Sequence, residues 1–191
     1  TRVVKATTYG PGPCQRIIPG VAPRMIRWQG PGPYVVAFTT RVGGVSEGPY
    51  ASLNLGARED DPDRIAANRV IACDELGLDA GRLAVNRQRH SPSVHRAEPG
   101  QDDRPGDGLW SDRPGQPMLV LTADCVPVAV GTSAGSPCLA VLHAGWRGLS
   151  EGIVAAGGRV RFTEAEFNVP GDPNGFALSR LGDEVHVSSG D

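Results

Sequence analysis

Two uninterrupted apolar runs, each opening onto reactive side chains, constrain this chain more than any other feature. Met118–Ala123 (MLVLTA) carries on through Asp124-Cys125-Val126-Pro127 into Val128–Gly131. Cys138–Leu142 (CLAVL) passes directly into His143-Ala144-Gly145-Trp146-Arg147-Gly148. A strand with one wet face alternates apolar and polar residues, whereas a continuous apolar run of this length reads as a strand covered on both faces. Two such strands so close together need material above and below their sheet. The expected fold is therefore loop-rich α/β or β-rich. Composition agrees: Gly (26) and Pro (17) make up more than a fifth of the 191 residues, too much for a helical bundle, while 39% hydrophobic residues can build a core.

Charge narrows the choice of partners. With 19 basic and 21 acidic residues the net charge is −2, so nothing draws the chain to nucleic acid or to an anionic membrane. No apolar run reaches the roughly 18 residues of a transmembrane helix, and the first twenty residues do not read as a secretory signal. The four cysteines, Cys14, Cys73, Cys125 and Cys138, show no paired spacing. They read as the reduced thiols of a cytoplasmic protein, so Cys14, Cys73 and Cys138 are expected to form no disulfide with one another.

Residues 1–33, rich in Pro and Gly, read as an irregular arm with one short strand around Arg24–Trp28. Tyr34–Thr40 (YVVAFTT) is a strand by its β-branched and aromatic content. It leads into Arg41-Val42-Gly43-Gly44-Val45-Ser46, which is either a simple hairpin turn or a place where backbone approaches a ligand closely. Asp61 is placed to cap a helix with Pro62 at its first position, Ile65, Val70, Cys73 and Leu76 recur at helical spacing, and Gly77 ends it. Leu83–Gln88 reads as a strand, Pro99–Gly106 as a polar loop and Leu149–Ala156 as the start of a helix.

The chemistry gathers at strand ends. Cys125 follows one apolar run and His143 ends the next. If those strands are neighbours, a thiolate and an imidazole lie side by side, and His90, closing another strand-like stretch, supplies a third ligand. Two His and one Cys suit zinc or copper, and three protein ligands leave a position open for water or substrate. Spacing alone equally allows a buried cysteine and two unrelated histidines.

Six blocks carry a resemblance: FTTRVGGVSEGPYASLNLG (38–56), DDPDRIAANR (60–69), QRH (88–90), DGLWSD (107–112), LTADCVPV (121–128) and LHAGWRG (142–148). In that order they resemble the multicopper polyphenol oxidoreductase, or laccase-domain, family, whose members are better described as purine nucleoside phosphorylases with adenosine deaminase activity. The resemblance implies an α/β fold with a mixed sheet layered by helices, and a zinc site with copper as the alternative metal. Its ligands are Cys125 of the A-D-C-x-P motif, His143 opening H-A-G-W-R-G, and His90 in a Q-x-H-G motif where this chain has Ser91 for the Gly. These three residues are also the implied catalytic set. His95 reads as a surface histidine. Arg41 and Arg147, each beside motif glycines, are expected to present guanidinium forks to phosphate or ribose oxygens. Asp124 is expected to bond a substrate group or to orient His143. Trp146 is either a purine-stacking platform or a packed indole.

The implied substrates are a purine nucleoside and phosphate, with adenosine giving adenine and ribose 1-phosphate, or inosine by deamination. Two further readings stand beside this one. A copper-dependent polyphenol oxidase needs several coppers and a His-rich chain, and four histidines are few for that. An inactive binding module is suggested by residues 158–191, which depart from the family and resemble part of a lamin-tail-type β module. On this reading 34–157 is an incomplete laccase-like domain lacking the family's C-terminal elements, and 158–191 is an unrelated β-type tail.

Overall fold

Strand β1 (Arg2–Lys5) runs parallel to β3 (Val35–Thr39), and β2 (Met25–Gln29) lies antiparallel on the other side of β3. β2 is the short strand expected around Arg24–Trp28, whereas β1 lies in the arm read as irregular. Four residues such as Arg2-Val3-Val4-Lys5 are too short to show a period, and they are strand only because β3 offers an edge. The computed structural model describes residues 2–5, 22–29, 33–56, 59–132, 135–159, 176–181 and 184–189, with side chains over 22–27, 33–56, 59–132 and 135–158.

Helix α1 (Pro62–Glu75) starts as its sequence dictates: the Asp61 carboxylate accepts the Asp63 amide, and Pro62 occupies the first turn, where no N–H is needed. It buries Ala72 and Cys73 against Ala37, Leu53, Leu55, Leu83, Val85 and Leu119. Burial, then the charges of Asp74 and Asp79, push the Cys73 thiol up to about 11, as suits a core cysteine. Cys73 and Cys138 are not joined in a disulfide, and Cys14 lies outside the described residues.

Two sheets then position the site. β4 (Ala84–Arg87) is flanked in parallel by β6 (Arg104–Pro105) and β8 (Met118–Leu119). The other sheet has the order β5-β7-β10-β9 and contains β5 (Val94–Arg96), β7 (Gly108–Ser111), β9 (Val126–Gly131) and β10 (Leu139–Ala144). In it β5 and β7 are parallel, while β10 is antiparallel to both β7 and β9. The architecture is mixed α/β, as expected.

All six residues of β10 are buried. Leu139 and Val141 join a cluster with Tyr34, Leu109 and Met118, whereas Ala140, Leu142 and Ala144 join Val128, Val130, Ile153 and Val154 on the opposite face. The first apolar run behaves differently. Its strand β8 stops at Leu119, and the chain then crosses to β9, where only Val128 and Val130 are buried. β9 is an edge strand, which is why Pro127, lacking an N–H, fits within it.

The helix expected over Leu149–Ala156 begins earlier and is broken. α2 (Trp146–Ser150) starts directly after Gly145, and α3 (Ile153–Arg159) follows Gly152, whose φ of +85° interrupts the helix. α3 places Ile153 and Val154 in the cluster on β9 and β10. Beyond it, β11 (Phe176–Leu181) and β12 (Glu184–Ser189) pair as an antiparallel hairpin.

The Arg41–Ser46 segment is not a turn between paired strands. The Gly43 and Gly44 amides donate to Ser52 Oγ, the Val45 amide donates to Asn68 Oδ1, and Ser46 Oγ donates to Asp60. Asn68, buried in α1, also donates to the carbonyls of Ser52 and Asn54. The loop is therefore seated on the helix by a buried polar network.

Candidate metal centre

His90, Cys125 and His143 come together. One ligand atom from each lies within 4.8 Å of the others. His143, near the end of β10, is buried; Cys125, just before β9, is half-buried; His90, on the turn after β4, is exposed. His90 Nε2 is 3.5 Å from Cys125 Sγ, and the His90 and His143 ring centroids are 4.9 Å apart at 69°.

A residue not singled out by sequence organises this group. Asp107, fully buried before β7, accepts from the Arg89, His90 and Ser91 amides at 2.8–3.1 Å. It also accepts from Ser91 Oγ at 2.8 Å and from His143 Nδ1 at 2.8 Å. Burial alone would raise the pKa of this carboxyl, but the hydrogen bonds from His143, Ser91 and Arg89 outweigh it and hold the group well below the usual carboxylate range. An ionised carboxylate only accepts, so His143 Nδ1 carries a proton, which leaves Nε2 as the ring nitrogen for a ligand role.

The orienting function expected of Asp124 therefore belongs to Asp107. Asp124 is exposed and acts on its neighbour instead: burial first, then the charge and hydrogen bond of Asp124 and the charge of Asp107, raise the Cys125 thiol. That negative surround favours a cation beside the sulfur. His90 has a φ of +59°, unusual for a residue with a side chain, and the three amides gathered on Asp107 hold it there. Ser91, where the motif has Gly, adds a hydroxyl bond to Asp107 that glycine lacks.

Gly145 completes the packing. A Cβ there would overlap His90 Cδ2 and lie 3.3 Å from Cys125 Sγ, so only glycine lets the two ligands close over the start of α2. Two donor types, one imidazole fixed in its tautomer and the sulfur near carboxylates fit a borderline-soft divalent ion such as zinc.

The other expected site residues differ in placement. Arg41 spends Nε on the Ala51 carbonyl at 3.2 Å and Nη2 on the Pro49 carbonyl at 2.8 Å, bracing its own loop. Arg147 is exposed; its guanidinium lies over the Trp146 indole, 5.1 Å from the centroid, and pairs with no carboxylate among the described residues. Trp146 is 71% exposed, so it is not a packed core indole. His95 is half-buried, with Nε2 2.9 Å from the Pro105 carbonyl, away from the ligand set.

The family model described as multi-copper polyphenol oxidoreductase laccase matches residues 35–168. The chain belongs to that family. This laccase-type match runs past residue 157, where the family-like part was expected to stop. A purine nucleoside phosphorylase of Pseudomonas aeruginosa is 38% identical over 146 residues, covering 76% of this chain and 56% of that protein. The purine nucleoside phosphorylase YfiH of Escherichia coli is 39% identical over 133 residues, covering 67% and 53%. A crystal structure of a Neisseria meningitidis protein superposes with a TM-score of 0.58 at 38% identity, covering 68% of this chain and 54% of that one. The chain spans about half the length of the relatives it matches. No helix among the described residues is long and apolar enough to cross a membrane.

Proposed function

We propose that His90, Cys125 and His143 hold zinc, and that the chain carries the metal centre of a purine nucleoside phosphorylase with adenosine deaminase activity. The observation that supports this best is the gathering of three ligand atoms of two kinds within 4.8 Å, one of them already oriented by a buried carboxylate. The same donors suit copper. When bound, the metal would supply a Lewis acid for the reaction.

The chain's own residues supply the rest. Phosphate attacks the anomeric carbon of adenosine as the bond to the base breaks, and the ribose passes through a cationic state that a bound phosphate stabilises. Arg147, without a carboxylate partner among the described residues, is the guanidinium we assign to that phosphate. Arg41 keeps the Gly43-Gly44 loop in shape, and any phosphate role it has is shared with that bracing. Asp124 offers an exposed acceptor next to Cys125 for a substrate amino or hydroxyl group. The exposed Trp146 offers a face for the base. We take the protein to work in the cytoplasm, where its thiols stay reduced.

The test is an assay of zinc-loaded protein with adenosine, with and without phosphate, following adenine and inosine separately. Phosphorolysis requires adenine only when phosphate is present; deamination gives inosine in either case. A protein with one zinc bound that releases neither product refutes the activity for this chain.

A further inference from the structure

Three ligands are held as a fixed triangle only if each pair is tied. Asp107 ties His90 to His143. The antiparallel register of β9 on β10, which sets Val126 opposite Ala144 and Pro127 opposite His143, ties Cys125 to His143. The third side, between the His90 arm and the Cys125 arm, is carried by Gln88.

β4 and β8 pair as far as Val85 opposite Leu119, and no further pairing is made beyond that point. There Gln88 Nε2 donates to the Leu121 carbonyl at 2.6 Å, while the Leu121 amide donates to Gln88 Oε1 at 2.6 Å. A carboxamide offers the same donor and acceptor as a peptide group. The side chain therefore acts as one more rung of the ladder after the strands have ended. Leu121 is anchored on its other side too, since its side chain packs on the α1 core cluster and closes over Gly56. Gln88 lies two residues before His90 and Leu121 four before Cys125, so this rung sits at the root of both ligand arms.

We infer that Gln88 is a positioning residue that sets the separation of His90 and Cys125 and so prepares the site before a metal arrives. The inference rests on the metal reading above. Glutamate at this position keeps the acceptor but turns an oxygen toward the Leu121 carbonyl, and methionine keeps the bulk while removing both bonds.

The test is cobalt titration of the 191-residue chain and of its Gln88→Met and Gln88→Glu variants. It reads affinity by chelator competition, the thiolate-to-cobalt charge-transfer band, and the Tm of the metal-free protein. Both variants are expected to bind cobalt about tenfold or more weakly, with a diminished thiolate band, on the scale seen when supporting residues around metal ligands are removed. If one variant fails to fold, the other decides. A lowered metal-free Tm with unchanged cobalt affinity and band assigns Gln88 to stability alone and overturns the inference. A wild-type chain that binds no cobalt overturns the metal reading as well, whereas equal binding by wild type and variant overturns this inference alone.

Discussion

Asp107 and His143 hold each other twice: the carboxylate takes the ring Nδ1–H at 2.8 Å, and the Asp107 backbone carbonyl takes the His143 amide at 2.7 Å. A ligand gripped through both ring and main chain can neither rotate nor change tautomer without breaking a buried bond. The His90 turn hangs from the same carboxylate, so two of the three ligands depend on one side chain.

Asp107→Asn keeps the size of that side chain but removes its charge and turns an NH₂ group toward groups that donate. Zinc affinity is expected to fall about 10–100-fold. Competition against a chelator of known affinity measures it, and an unchanged constant would show that Asp107 serves only the fold.

Gly145→Ala tests the close approach of His90 to the chain before α2. The added methyl overlaps the His90 ring, so His90 must swing away from Cys125. The variant is expected to purify with clearly less than one zinc while keeping its far-ultraviolet spectrum. Stoichiometric zinc by elemental analysis would disprove the clash.

Arg147→Ala separates the two proposed reactions. Loss of a charge-assisted hydrogen bond costs about 1.5–3 kcal/mol, so phosphorolysis is expected to weaken roughly tenfold or more in kcat/KM. Deamination uses no phosphate and should suffer less. An equal loss of both would identify an arginine that braces the start of α2.

Asp60 gives an acid-side prediction. Burial pushes its carboxyl up, but hydrogen bonds from Ser46, Asn54 and the Asp61 amide, with the charge of Arg64, outweigh burial and leave its pKa below the ordinary value. A carboxyl more acidic when folded stabilises the fold above its unfolded pKa of about 3.9, and that contribution is lost as pH falls through the lower folded value. The Tm gap between wild type and Asp60→Asn should therefore stay constant from pH 8 to 5 and narrow below about pH 4. A gap independent of pH throughout would show that the Asp60 carboxyl titrates alike in the folded and unfolded chain, and would overturn this assignment.

How far the sequence reveals this molecule depends on how local the signal is. β10 was legible because the uninterrupted apolar run Cys138–Leu142 reads as a strand covered on both faces, and α1 because its cap, its Pro62 and its periodicity lie within one window. The gathering of His90, Cys125 and His143 was legible because they stand in distinctive motifs at strand ends. Asp107 and Gln88 were not, although both lie in the matched blocks. Their partners are 36 and 33 residues away, and the pairing exists only once β4, β8 and β10 are assembled. β1 escaped notice for the same reason: a four-residue strand takes its identity from its neighbour. The early end of β8 was hidden because apolar composition continues through Leu121 while the backbone's partner changes from a strand to a side chain.

The burial of β10 on both faces has a consequence for the order of events at the metal. Amides in such a strand exchange with solvent only when the whole molecule opens, whereas turns open on their own at far lower cost. His143 is therefore presented for as long as the protein stays folded, and on the metal reading proposed above release would proceed through the His90 and Cys125 arms breathing around a stationary third residue.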